Sequence, residues 1–186
     1  DCSMSVDNSS VSHNEAWDEG GGVYAYKSAV VLSGSSSISH NTAHGDDGGG
    51  VRVREGSLTV SNSAILGNWA ANDGGGVYLY LDCSMSVDNS SVSHNEALDD
   101  GGGVSMHASN ITIVGSAIDD NVAARSGGGL CAMSSAVELR DGASVSGNTA
   151  TKNGGGVFVQ ESTLTVLNSA VQGNSADESG GAVYAV

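Results

Sequence analysis

ILGNWAANDGGGVYLY, Ile65 to Tyr80, decides how this chain is built. An aliphatic residue stands three positions before Asn68, and Ala70 stands two positions after it. The triplet Gly74-Gly75-Gly76 then leads into the alternation Val77-Tyr78-Leu79-Tyr80. The same order recurs throughout. Glycine clusters open at Gly20, Gly48, Gly74, Gly101, Gly127, Gly154 and Gly180, at intervals of 26 to 28 residues. The asparagine recurs as Asn14, Asn41, Asn68, Asn95, Asn121, Asn148 and Asn174. Each has Val or Ile three residues before it and Ala two residues after it. Seven matches out of seven at three separate positions identify a repeat architecture.

Each repeat reads as three short strands. The first follows the glycines, as in Val23-Tyr24-Ala25-Tyr26, Val51-Arg52-Val53-Arg54 and Val77-Tyr78-Leu79-Tyr80, and alternates with period two. The second also alternates, as in Leu58-Thr59-Val60 and Ile111-Thr112-Ile113; the third centres on the Val or Ile before the asparagine. Helices fit poorly, because a glycine triplet would interrupt every helix pair. Three strands of about four residues plus turns fill one coil of about 27 residues, and a strand then pairs with its equivalent about 4.8 Å away in the next coil. The expected fold is an all-β, right-handed parallel β-helix: one solenoid domain over residues 1–186, about seven coils of 26–28 residues. In such a stack the asparagines form an amide ladder at a turn. Val23, Val51, Val77, Val104, Leu130, Val157 and Val183 form an inward aliphatic ladder.

Composition agrees with a solenoid and narrows its partners. The chain has 28 Gly, no Pro, 4% aromatics and a formal net charge of −15. Apolar residues at fixed intervals argue against disorder, and no apolar run approaches the roughly 18 residues that span a bilayer. The charge disfavours nucleic acid and anionic membrane surfaces.

The chain resembles right-handed β-helix proteins of the pectin-lyase-like kind. It is also similar to the repeats of polymorphic outer-membrane proteins and autotransporter passengers, which carry a Gly-Gly-aliphatic motif and a Phe-x-x-Asn motif. Gly21-Gly22-Val23 matches the first; Val11-x-x-Asn14 occupies the second with Val in place of Phe. The resemblance implies an extracellular or cell-surface location.

Both ends fall in mid-coil. Joining Val186 to Asp1 would place the next glycine cluster 26 residues after Gly180, the interior spacing. Solenoids need polar caps, and none is legible, so either a longer chain continues the coil or copies stack end to end. Residues 1–16 and 82–97 are identical, three coils apart; recent duplication of this kind lengthens a fibre.

Little in the sequence suggests catalysis, and the expectation is a protein that is not an enzyme. The coils differ by at most two residues, which leaves no loop long enough to wall a cleft, and Arg52, Arg54, Arg125 and Arg140 share no motif with a carboxylate pair. Acidic turns precede the first four glycine clusters: Asp18-Glu19, Asp46-Asp47, Asn72-Asp73 and Asp99-Asp100. Stacked carboxylates about 5 Å apart repel, and calcium would relieve them; the alternative is a solvated acidic edge. No other cofactor is expected. His13, His40 and His94 share one stacked position, read as a substitutable surface position before a metal or pH-sensing one. Cys2 and Cys83, three coils apart, lie about 14 Å from each other, too far for a disulfide. Cys131 is placed on the outward face of the first strand. Three glycosylation sequons begin at Asn8, Asn89 and Asn110.

The sequence therefore points first to a structural segment of an extracellular fibre, stalk or surface filament. A surface adhesin binding a host partner or glycan through the outward stripe Tyr24, Arg52, Tyr78, Ser105, Cys131, Phe158, Tyr184 comes second. A polysaccharide-active enzyme comes last.

Overall fold

A computed structural model describes residues 2–186; Asp1, one side of the expected junction, lies outside them. Among these residues every regular element is a strand, and the strands form four parallel sheets of seven strands each. A coil thus has four strands, not three. In the second coil they are Val23–Tyr26, Ser28–Ser33, Ser37–Ser39 and Thr42–Ala43. The fourth strand is the two-residue segment after each ladder asparagine, too short for alternation to reveal it.

Register is exact to the residue from coil to coil. Val77 pairs with Val51 on one side and Val104 on the other, and Ile65 lies between Ile38 and Val92. Inward side chains therefore stack as columns, and the interior columns form one continuous apolar core. Val51, Ile65, Leu79, Ile113 and Leu139 are fully buried. Stability in such a stack is close to a sum of neighbour terms.

The corners are made by left-handed residues. After the first strand the chain turns at Lys27, Glu55, Ala108, Ser134 or Glu161, and after the second at Asn8, Asn62, Asn89 or Asn168, all with φ between 45° and 53°. After the third it turns at His13, His40, Gly67, His94, Asp120, Gly147 or Gly173. The histidine column is thus a column of left-handed corners, a conformation in which His, Asn, Asp and Gly are enriched.

The glycine triplet has a separate cause for each member. Gly74 has φ +65°. A Cβ on Gly75 would collide with the Glu96 carbonyl and lie 2.6 Å from the Gly102 carbonyl oxygen; one on Gly76 would lie 2.6 Å from that of Gly103. At this corner the backbones of successive coils are in direct contact and bond to each other, Gly75 N–H to Gly101 O at 3.2 Å and Gly76 N–H to Gly102 O at 3.1 Å.

Candidate functional site

An amide ladder runs through the corner that precedes the acidic turns. Asn95 Oδ1 accepts from Asn68 N–H and Asn68 Nδ2, both at 3.0 Å. Asn95 Nδ2 donates to Asn121 Oδ1 at 3.0 Å and to the Ile65 carbonyl at 3.1 Å. The same pattern links Asn14 to Asn41, Asn41 to Asn68, Asn121 to Asn148 and Asn148 to Asn174. Asn41 to Asn148 are buried.

Sequence reasoning missed two further ladders. At the corner after the second strand, Ser9, Ser63 and Ser90 donate their amides to the hydroxyls of Ser36, Ser90 and Ser116. At the corner after the first, Cys83, Ser109 and Ser135 donate to Ser109, Ser135 and Ser162. Their signal is a serine recurring once per coil, which is lost among the many serines of this chain.

Four to six residues beyond Asn14, Asn41, Asn68 and Asn95 comes the acidic turn, which in the second coil folds back onto the outward Arg52 of the glycine-following sheet. Its last residue forms an aspartate ladder: Asp73 N–H donates to Asp47 Oδ1 at 3.1 Å, Asp100 N–H to Asp73 Oδ1 at 2.9 Å and Ser126 N–H to Asp100 Oδ1 at 2.8 Å. The turn also covers part of the outward stripe. Arg52, Ser105 and Cys131 point away from the core yet are buried. Cys131 is therefore not an exposed thiol: burial, with Asp100 and Asp73 nearby, pushes it up.

Arg52 supplies an internal cation. Its Nη1 lies 2.9 Å from Glu19, 3.3 Å from Asp46 and 3.0 Å from Asp47, and its guanidinium stacks 5.0 Å from the Tyr78 ring centre. A basic residue and three carboxylates thus come together although no sequence motif joins them. Of the residues considered for calcium, Glu19, Asp46 and Asp47 thus surround a guanidinium, and Asp18 is exposed. Asp73, Asp99 and Asp100 come together separately, with ligand oxygens within 4.8 Å of one another, and Arg125 reaches Asp99 at 3.3 Å and Asp100 at 3.6 Å.

Burial dominates the titration of this seam. It raises Asp47 to about 6 against the opposing Asp73 amide and Arg52 guanidinium, and raises Asp73 to about 7 with Asp47, Asp100 and Asp99 adding to it. Asp100 is raised by burial and by Asp99.

Other candidate residues are dispersed. His13 and His40 stack with ring centres 5.1 Å apart, while His94 lies two coils away beside Asp120 at 3.8 Å. Asn8 and Asn89 are exposed corner residues, and Asn110 is the exposed first residue of its strand. Cys2 is exposed, whereas Cys83 points inward, its thiol 3.3 Å from the Tyr80 carbonyl. On the same outward face, Tyr26, Arg54 and Tyr80 form a stack, with the Arg54 guanidinium 5.5 and 5.7 Å from the two ring centres.

No match is found among curated proteins or among solved structures. Residues 1–182 match the family profile described as the right-handed β-helix region, and this chain, with its four in-register parallel sheets, belongs to that family.

Proposed function

We propose that the chain is a non-catalytic structural segment of an extracellular fibre, stalk or surface filament. The observation that carries this reading is where the polar side chains go. The asparagine, serine and aspartate columns all bond from one coil to the next. They strengthen the long axis, as a load-bearing rod requires. The likeness of the repeat to polymorphic outer-membrane protein and autotransporter passenger repeats supports a surface location. Electron microscopy of native material tests the reading: rods or a fibrous layer are expected, with a rise of about 4.8 Å per coil. Dispersed compact particles overturn it.

A second reading, an adhesive face, is favoured by one observation. Tyr24 and Tyr26 are 47% and 46% exposed on a flat sheet, with Lys27 5.0 Å from the Tyr26 ring centre. Exposed tyrosines beside cations suit contacts with a host partner or glycan. Binding on a glycan array that is lost in Tyr26→Ala supports this face; an array without binding removes the glycan.

A further inference from the structure

The last outward position of the glycine-following strand is occupied in three successive coils by Tyr26, Arg54 and Tyr80, paired in register. The Arg54 guanidinium lies 5.5 Å from one ring centre and 5.7 Å from the other. His107 continues the row, its ring centre 5.6 Å from that of Tyr80. Arg54 differs from Arg52, which is buried and whose Nη1 is shared among three carboxylates. The Arg54 side chain is 42% exposed, and its one ionic neighbour among the described residues is Glu55, 3.6 Å from Nε and beyond hydrogen-bond reach. Among the same residues neither terminal nitrogen of Arg54 has an acceptor.

This arrangement suits an anion. A ring on each side limits the freedom of the Arg54 side chain before any ligand arrives, so less is lost on binding. The open edge of a guanidinium offers two parallel N–H groups, the geometry that takes both oxygens of a carboxylate. Glu55 also lies 3.5 Å from Lys27 Nζ. Two cations thus share one carboxylate, and one positive charge is left over. The tyrosine rings beside that charge give flat apolar ground for the C–H face of a sugar ring. The rest of the chain limits what carries the anion. A formal net charge of −15 repels a polyanion, whereas a single negative charge meets the local surplus.

We propose that Arg54, clamped between Tyr26 and Tyr80 and assisted by Lys27, binds the carboxylate of a single terminal acidic sugar. This ligand rests on the reading of the sheet as an adhesive face, and narrows host partner or glycan to one chemistry. Arg54 takes both carboxylate oxygens, the tyrosines take the ring face, and Lys27 draws the anion in.

Saturation-transfer NMR on the whole chain tests the site with sialyllactose, its methyl ester, lactose and methyl glucuronide. Signals from the acidic ring are expected with the free acid and should vanish with the methyl ester, which keeps the shape without the charge. Binding of methyl glucuronide in place of sialyllactose also supports the site and identifies the other source of the carboxylate. Arg54→Gln should weaken binding about tenfold or more, and Arg54→Lys nearly as much, since a point charge cannot take both oxygens. Tyr26→Phe keeps the ring and should bind as the parent does. Higher ionic strength should weaken binding of the free acid. Equal binding of acid and methyl ester overturns the carboxylate site while the adhesive face stands, as does parental affinity in Arg54→Gln. So does oligogalacturonate bound more tightly than sialyllactose, because a polyanion would then be preferred. Silence from all four probes overturns this ligand, and a glycan array silent on the same protein removes the glycan face itself.

Discussion

Replacing Asn95 with Leu removes the centre of the amide ladder, and the structure allows the cost to be worked out. Four hydrogen bonds disappear: two accepted from Asn68, one donated to Asn121 and one donated to the Ile65 carbonyl. Two of the partners keep another bond. Asn68 Nδ2 still reaches the Ile38 carbonyl at 3.1 Å, and Asn121 Oδ1 still accepts the Asn95 amide at 2.9 Å. The Asn68 N–H is left buried without an acceptor. That orphan costs about 2 kcal/mol, and the other three bonds about 1 kcal/mol each. Burying the Leu side chain returns about 2 kcal/mol. The net loss is about 3 kcal/mol, or about 9 °C in melting temperature for a chain of this size. Circular dichroism at the β-sheet minimum, followed through thermal and urea unfolding, measures it. A loss below about 1 kcal/mol, the value of one ordinary hydrogen bond, would refute an inward ladder whose bonds hold the coils together.

Three further substitutions or probes test other parts of the stack. Gly75→Ala puts a Cβ against the Glu96 and Gly102 carbonyls, both backbone and unable to yield locally; a loss of about 3 kcal/mol or more, measured by the same melts, is expected. His94→Gly relieves a left-handed corner with φ 55° that Gly67 occupies in the preceding coil and Gly147 two coils further on, and a net gain of up to about 1 kcal/mol should remain after the greater freedom of glycine in the unfolded chain. A thiol reagent under native conditions should titrate Cys2 and spare Cys83 and Cys131, which are buried; all three should react in denaturant.

The fold was legible because stacking turns a sequence interval into a spatial contact. Once Asn68 and Asn95 are known to recur at the same place in a coil, their contact follows, as does the burial of Val77 against Val51 and Val104. The fourth strand was not legible, because Trp69-Ala70 is too short to alternate. Nor was the burial of Arg52 and Cys131. Strand alternation places both outward, and only the path of the turn before the glycine cluster, which residue identity does not reveal, shows that the outward face is covered there. The acidic turns were visible as a charge column, but their internal cation was not: Arg52 follows Asp47 by five residues and folds back onto it only through the intervening glycine corner.

The columns also show why the residue types differ in how long they persist. A carboxamide is both donor and acceptor, so an asparagine column satisfies itself at every step and recurs in all seven coils. A serine hydroxyl does the same, accepting an amide from one coil while donating to a carbonyl, as Ser90 does toward Ser63 N–H and the Asp88 carbonyl. An ionised carboxylate only accepts. Each aspartate added to a column brings a charge that the next one opposes, and a low local dielectric strengthens the opposition. A column of aspartates can therefore extend only where something of opposite sign, or a proton, interrupts it. In this chain Arg52 stands at one end of the Asp47, Asp73, Asp100 run and Arg125 at the other, and beyond Asp100 the column changes to Ser126 and Asn153. The central member, Asp73, is the one position where neither arginine suffices.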